Sequence, residues 1–231
     1  MRKAMLDKVL DDRAAKRPVI VATTLASGEQ RLIHPEDTAA LGTMGESADK
    51  AFASDQSITA DTPDGEVFLH VHNPPLRMVV IGAVHTAQQL VPMAVMAGYA
   101  VTVIDPRGAF ATPERFPGVD LRPEWPDEVW PSLGVDRRTA VIALTHDPKI
   151  DDPALTVALN GPAFYIGALG SSRTHARRVE RLKETGIADD ALGRIRAPIG
   201  LDIGARGPAE IAISILAEVT ACLRGRKTGA S

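Results

Sequence analysis

The chain has 231 residues, 45% of them hydrophobic, which is enough to fill one larger domain or a small domain joined to a medium one. Its formal net charge of −3 gives no overall attraction for nucleic acid, so we expect no nucleic-acid partner. The single cysteine, Cys222, excludes an intrachain disulfide framework and any zinc or iron–sulfur site built from several cysteines.

The first 74 residues predict a small domain of mixed α and β structure. A short helix is expected over residues 5–15, two strands of a hairpin flank Ser27-Gly28, and an alternating strand covers residues 66–72. The segment before residue 18 carries charges throughout and lacks the apolar stretch of a signal peptide, and no later window approaches about eighteen consecutive apolar residues. We therefore expect no membrane span and a cytoplasmic protein.

The run Asn73-Pro74-Pro75 marks a change of pattern. Proline fixes its own backbone angle and donates no hydrogen bond, so this stiff run is a natural domain boundary. We accordingly expect one domain at residues 1–74 and a second at residues 75–231.

After this boundary, apolar strands alternate with helices. Strands are expected over residues 78–81, 100–104, 139–145 and 163–167, and helices over residues 86–97, 127–133, 153–160, 189–194 and 208–224, with an arginine-rich helix after residue 171. Apolar strands separated by helices are typical of a parallel sheet buried on both faces. The sequence thus predicts an α/β fold, a Rossmann-like parallel sheet domain preceded by a small α+β subdomain.

The first strand of this domain ends at Gly82, where a dinucleotide-binding fingerprint would begin. Asp105 closes the second strand and could hold a ribose hydroxyl, and Arg107 could contact the 2′-phosphate of NADP. Val84, however, occupies the place of the second fingerprint glycine, which weakens an NAD(P) interpretation. Two alternatives remain open: an NAD(P)-dependent oxidoreductase, or a Gly82 that only makes the turn.

The second candidate site is a glycine turn that opens the arginine-rich helix. Gly167, Gly170 and Ser171 precede Arg173, and backbone N–H groups at a helix N-terminus form a natural anion site. Arginines there oppose the helix dipole unless an anion is bound. The alternative is a solvated helix face held by pairs of charged residues three positions apart.

Three histidines map to the carboxyl edge of the predicted sheet, where open α/β folds place their ligands. They are His85, His146 and His175, and Asp202, flanked by glycines, could join them. Their spacing carries no metal-ligand signature, so we expect no metal site. General acid or base roles for them stay open.

Four separated phrases resemble the xanthine dehydrogenase accessory family, XdhC/CoxI. They are Thr145-His146-Asp147-Pro148 with Asp151-Asp152-Pro153, then Tyr165-Ile166-Gly167-Ala168-Leu169-Gly170-Ser171, then Arg173-Thr174-His175-Ala176, and last the stretch from Pro198 to Ala205 with Pro208-Ala209-Glu210. The resemblance covers about residues 74–223 and implies a Rossmann-like domain. It also implies a role in maturing molybdenum hydroxylases by binding the molybdenum cofactor and aiding its sulfuration and insertion.

The resemblance and the predicted anion site together lead to a hypothesis for the ligand arrangement and the partners. The phosphate of molybdopterin would lie at Gly167, Gly170, Ser171 and Arg173 with His175 close by, and the pterin near Gly82, His85 and Asp105 with Asp202 opposite. The expected partners are an apo molybdenum hydroxylase, a cysteine desulfurase and a second copy of the chain. The protein would be a cofactor chaperone more than a catalyst. The remaining alternative is a scaffold that recruits a sulfurtransferase or the target enzyme without binding a small molecule.

Overall fold

The computed structural model describes residues 3–63 and 65–226. Contacts between residues divide the chain into two compact units, Met1–Pro74 and Pro75–Ser231. No helix within the described ranges is long and apolar enough to cross a membrane.

The first unit is built on a four-stranded antiparallel sheet. Its elements are helix α1 (Lys3–Ala14), strands β1 (Val19–Thr24) and β2 (Gln30–Ile33), a 3-10 helix (Pro35–Ala40), helix α2 (Gly42–Ser54), and strands β3 (Ile58–Thr62) and β4 (Gly65–His72). The strand order is β2-β1-β4-β3, and β1 pairs with β2 as the predicted hairpin. Buried alanines of α2, Ala48 and Ala51, belong to the same core as Ile20 and Leu69 of the sheet.

The second unit is built on a six-stranded parallel sheet. Its strands are β5 (Leu76–Ile81), β6 (Tyr99–Ile104), β7 (Asp120–Arg122), β8 (Thr139–Ala143), β9 (Tyr165–Ala168) and β10 (Ile195–Arg196). Its helices are α3 (His85–Met96), α4 (Pro126–Leu133), α5 (Pro148–Leu159), α6 (Ser172–Glu184), α7 (Asp189–Leu192) and α8 (Pro208–Leu223). The strands lie in the order β10-β9-β8-β5-β6-β7, the doubly wound order of a Rossmann fold. The predicted fold class is confirmed.

Strand β5 shows why this sheet is buried on both faces. Met78 and Val80 belong to the apolar cluster that includes residues of α3 and α8, whereas Val79 and Ile81 belong to the cluster that includes residues of α4, α5 and α6. Alternate residues of a strand point to opposite faces, so the unbroken apolar run follows from two covered faces. Each buried Val or Ile side chain contributes about 1.5–3 kcal/mol through the hydrophobic effect.

The structure contains elements that the sequence pattern did not predict. Strand β3 pairs with β4, and the short strands β7 and β10 extend the parallel sheet on both sides. Helix α5 begins at Pro148, five residues before the predicted start at Pro153, and Asp147 caps it by accepting a hydrogen bond from the N–H of Lys149. Proline is favoured in the first turn, and here Pro148 holds that position.

Candidate functional site

The carboxyl ends of four central parallel strands bring most of the predicted site residues to one edge of the sheet. Gly82 follows β5, Asp105 follows β6, His146 lies shortly after β8, and Gly170 lies shortly after β9. The strand order reverses between β5 and β8, since the chain runs outward from β5 through β6 to β7 and then returns to the other side of β5 at β8. Open α/β sheets bind ligands beside such a point.

Gly82 brings the ends of β5 and β8 together. Its φ of +102° lies in a region that L side chains rarely adopt, and a Cβ at this position would overlap Cγ2 of Thr145. Gly82 is therefore required by the turn and by the approach of Thr145, independently of any ligand. His85 is the exposed first residue of α3, beyond this turn.

Asp105 is fully buried and accepts four hydrogen bonds from its own chain. The donors are the N–H of Ala83 (2.8 Å) and the N–H, Nε and Nη2 of Arg107 (3.0, 2.9 and 2.7 Å). Burial raises the pKa of Asp105, but these bonds and the Arg107 charge outweigh it and hold the pKa below its ordinary value. A carboxylate has about four acceptor sites, so the geometry leaves none for a ribose hydroxyl and gives no support to the NAD(P) interpretation.

Asp151 organises the loop between β8 and α5. One carboxylate oxygen accepts hydrogen bonds from Oγ1 and N–H of Thr145 (2.7 and 3.3 Å), and the other accepts from the N–H of His146 (3.1 Å). His146 itself has a φ of +61°, uncommon for a residue with a side chain. Burial raises the pKa of Asp151 despite these bonds and the nearby Arg178 charge.

The predicted anion turn is a capped helix start. Ser171 caps α6, since its side chain accepts a hydrogen bond from the N–H of Thr174 (3.2 Å), and Gly170 before it has a φ of +133°. Arg173 is exposed in the first turn of α6. The first N–H groups of a helix have no partner within the helix, so this turn presents donors at the sheet edge.

Gly167 lies before this turn and has a packing role. It lies within β9 and is buried, and a Cβ there would overlap the side chains of Ile199 and Tyr165. Gly167 therefore lets the chain around Ile199 approach the sheet, and its own backbone takes part in the strand pairing with β8 and β10.

Two polar side chains on α6 are buried without full satisfaction. Arg178 is 2% exposed, donates from Nη2 to the carbonyl of Leu169 (2.8 Å), and has no hydrogen-bond partner at Nε or Nη1 among the described residues. Nδ1 of the half-buried His175 also lacks a partner there. Burial, followed by the Arg178 charge, lowers the pKa of His175, and burial lowers the pKa of Arg178.

Two further charges of α6, those of Arg181 and Lys183, pair with acids outside this helix. Arg181 binds Asp152 of α5 through Nε (2.5 Å) and Nη2 (3.1 Å), and Lys183 lies 2.9 Å from Asp189 of α7. The helix is therefore not held only by pairs of its own charged residues, which was the alternative interpretation of its sequence.

Asp202 is exposed in the loop before α8. Gly200 anchors this loop, because its N–H donates a hydrogen bond to Oε2 of the buried Glu218 (2.9 Å). The same oxygen accepts a hydrogen bond from the hydroxyl of Tyr165 (2.5 Å). The hydrogen bonds and ion pairs of the described residues do not connect Asp202 to the other predicted site residues.

The predicted histidines do not form a metal centre with one another. Across residues 3–63 and 65–226, no group of three or more His, Cys, Asp or Glu side chains could hold a metal ion. Sequence reasoning did not single out Thr145 or Asp151 as site residues. It did not single out Arg178 either, although the four-residue spacing of Arg178 from the buried Leu182 is a signal that places it on the apolar face of α6.

Comparison with known proteins assigns the second unit to a family. Residues 78–219, more than half of the chain, match the sequence model described as the XdhC Rossmann domain. Two Escherichia coli proteins are similar: the molybdenum cofactor insertion chaperone PaoD, 34% identical over 63% of this chain and 40% of PaoD, and the uncharacterized protein YqeB, 33% identical over 66% of this chain and 28% of YqeB.

The chain spans less than half the length of these two relatives in the aligned regions. A crystal structure of a xanthine dehydrogenase from Bacillus halodurans shares the fold, with a TM-score of 0.70 and 23% identity over 99% of this chain and 66% of that one. The predicted resemblance is confirmed by these matches. Through its Rossmann domain, the chain belongs to the XdhC family.

Proposed function

We propose that this protein binds the molybdenum cofactor at the carboxyl edge of its parallel sheet and delivers it to an apo molybdenum hydroxylase. The observation that carries the proposal is a set of buried polar atoms on α6 that lack hydrogen-bond partners among the described residues. They are Nε and Nη1 of Arg178 and Nδ1 of His175. Buried polar atoms are normally hydrogen-bonded. An anionic ligand would supply acceptors to the unpaired guanidinium donors.

The chemistry of the cofactor supports this assignment. Molybdopterin ends in a phosphate, and its dinucleotide forms carry a pyrophosphate. The start of α6 offers backbone N–H donors after Gly170, the positive end of a 13-residue helix, and the exposed guanidinium of Arg173. A relative of this chain, PaoD, is described as a molybdenum cofactor insertion chaperone, which favours the same cargo here.

Within this proposal, the pterin would lie toward Gly82 and His85, beside the point where the strand order reverses. Asp105 and Arg107 would shape that end of the site through their mutual hydrogen bonds, because the acceptor sites of Asp105 are already engaged. His146 would border the site from the loop after β8. Asp202 would contact the site from the loop before α8, on the opposite side.

The proposal extends to partners. Sulfuration of the bound cofactor would require a cysteine desulfurase, and insertion would require the apo hydroxylase. A homodimer is supported by apolar side chains exposed on α3 and α8, where Met96 is 81% and Ile213 is 50% exposed. Light scattering of the purified protein measures this assembly directly.

Calorimetric titration with purified molybdenum cofactor under anaerobic conditions tests the proposal. We expect binding by the unmodified protein, and about tenfold weaker binding by Arg173→Ala, because a charge-assisted contact is lost at the helix start. Arg137→Ala is the matched control, since Arg137 is an exposed arginine before β8, at the opposite end of that strand. Absence of cofactor binding by the unmodified protein would overturn the proposal.

A further inference from the structure

A small cavity lies between the start of α5 and the first turns of α6. Its volume is about 200 Å³, and its walls include His146, Thr174, Arg177, Arg178 and Arg181. Sites for complete small molecules typically measure about 300–1,000 Å³. This cavity therefore suits one chemical group of a ligand and not a whole pterin.

Arg178 supplies the first reason to expect a ligand there. Its guanidinium is almost fully buried, yet only Nη2 is engaged, by the carbonyl of Leu169 and, at 3.8 Å, by a carboxylate oxygen of Asp151. Nε and Nη1 have no partner among the described residues. Leaving two donors of a buried cation unsatisfied is unfavourable, and an acceptor held in the adjoining cavity would relieve it.

The balance of charge around the cavity gives the second reason. Asp152 is held by both Nε and Nη2 of Arg181. The carboxylate of Asp151 accepts its hydrogen bonds from the loop after β8. Arg177 is exposed and has no ion-pair partner in the described part of the chain. The cavity thus combines three guanidinium groups with two carboxylates, an excess of one positive charge. Since Arg181 and Asp152 pair with each other, Arg177 and Arg178 are the cations available to a ligand.

The third reason is position. Thr174 lines the cavity and also donates its N–H to the capping Ser171, so the cavity adjoins the start of α6. The start of α5 lies on its other side, with Pro148 in the wall. The positive ends of two helices of 12 and 13 residues therefore flank the same space.

We propose that this cavity is an oxyanion subsite that takes one phosphate group, with Arg178 at its base and Arg177 at its mouth. An Arg fork matches the oxygens of phosphate in a way that lysine does not. The ligand chemistry is a tetrahedral phosphate, from either free inorganic phosphate or the phosphate end of a larger molecule. Its assignment to the phosphate of molybdopterin rests on the proposed function above. Arg173 is not among the residues that line the cavity, so it would contact the cofactor outside this subsite.

Titration of the full chain with inorganic phosphate at constant ionic strength tests the subsite by itself. We expect saturable binding, weakened about tenfold or more in Arg178→Lys and in Arg177→Gln. Arg137→Gln should bind as the unmodified protein does. Because Arg177 is exposed, its variant keeps the test decisive if Arg178→Lys does not fold. Equal phosphate binding by Arg177→Gln and the unmodified protein, or no phosphate binding at all, would overturn the subsite.

A second titration separates the two phosphate sources. Intact molybdopterin and its dephosphorylated form are compared on the unmodified protein and on Arg177→Gln. If the phosphate end occupies the cavity, removing it weakens binding to the unmodified protein more than binding to Arg177→Gln, because that variant has already lost part of the phosphate contact. Equal losses in both proteins would overturn that assignment while leaving cofactor binding intact. If neither form binds, the proposed function fails, and the inorganic phosphate titration alone decides whether the subsite exists.

Discussion

Asp105 and Asp151 are buried carboxylates at the same edge of the sheet, and their surroundings differ. Asp105 receives four hydrogen bonds, two of them from the Arg107 guanidinium, and its pKa is lowered. Asp151 receives three bonds, all from neutral groups, and its nearest guanidinium, on Arg178, is 3.8 Å away. Burial therefore prevails at Asp151, and its pKa is raised.

Asp105→Asn should destabilise the protein by about 1–3 kcal/mol, because an amide offers fewer acceptor sites and no charge to Arg107 and the buried N–H of Ala83. Urea unfolding measures the loss. Asp202→Asn, at an exposed carboxylate, is the control and should change stability by less than about 0.5 kcal/mol. Equal stability of the two variants would contradict a structural role for Asp105.

The places of individual candidate residues in the fold were predictable only where a strand or helix ended at them. The positions of Gly82, Asp105 and Gly170 followed from the alternation of strands and helices. Their partners did not, because Asp105 bonds the turn after β5 across 22 residues and no local pattern encodes that contact. The same holds for Gly167, whose packing partner Ile199 lies beyond two further helices.

At the scale of elements, the start of α6 depends on its cap. Ser171→Ala removes the acceptor for the N–H of Thr174, and we expect a loss of about 1 kcal/mol in unfolding free energy. Ser172→Ala changes the neighbouring serine, which is the first helical residue and has no capping role. Denaturant unfolding of both variants checks the pair, and a larger loss for Ser172→Ala would be inconsistent with the cap.

The contact between the ends of β5 and β8 can be tested in the same way. Gly82→Ala should destabilise by about 1–3 kcal/mol or more, because it combines backbone strain at φ +102° with overlap against Cγ2 of Thr145. Thr145→Ser removes that methyl group while keeping the hydroxyl that bonds Asp151. The double variant should therefore recover part of the loss. Strictly additive effects in the double-mutant cycle would show that the two strand ends are not coupled.

Elements were missed where they were too short for a periodic signal. Strand β10 has two residues and β7 has three, so neither shows an alternation that could be distinguished from loop. Each is defined only by its pairing in the folded sheet, β10 with β9 and β7 with β6. The predicted helix began at Pro153, which lies inside the observed α5. Proline is favoured in the first turn, and Pro148 is the residue that holds that position.

For the whole molecule, the α/β class and the parallel sheet were predictable from the sequence because each depends on composition and period. Strands such as β5 and β6 are mostly apolar and almost entirely buried, which is typical of a sheet covered on both faces. The strand order needed the structure, since the sequence does not state which strands are neighbours. For the same reason, the sequence predicted the edge of the sheet at which the candidate site lies, but not the contacts between its residues.

The dependence of folding stability on pH is the sum of contributions from titrating groups across the whole molecule. The contributions of the buried Asp105 and Asp151 have opposite signs. The folded pKa of Asp105 lies below its unfolded value of 3.8, so its stabilising contribution is present above pH 3.8 and is lost as pH falls toward the folded pKa. The folded pKa of Asp151 lies above 3.8, so its contribution is complete below pH 3.8 and is lost as pH rises through the folded pKa.

Unfolding free energies measured from pH 7 to pH 3 for the unmodified protein, Asp105→Asn and Asp151→Asn test this opposition. The advantage of the unmodified protein over Asp105→Asn should shrink as pH falls below 3.8, because the unfolded carboxylate then binds the proton first. Its advantage over Asp151→Asn should grow as pH falls from 7 toward 3.8, because the folded carboxylate then binds the proton first. If both differences in unfolding free energy change in the same direction as pH falls, the pKa values of Asp105 and Asp151 are not shifted in opposite directions as their geometry indicates.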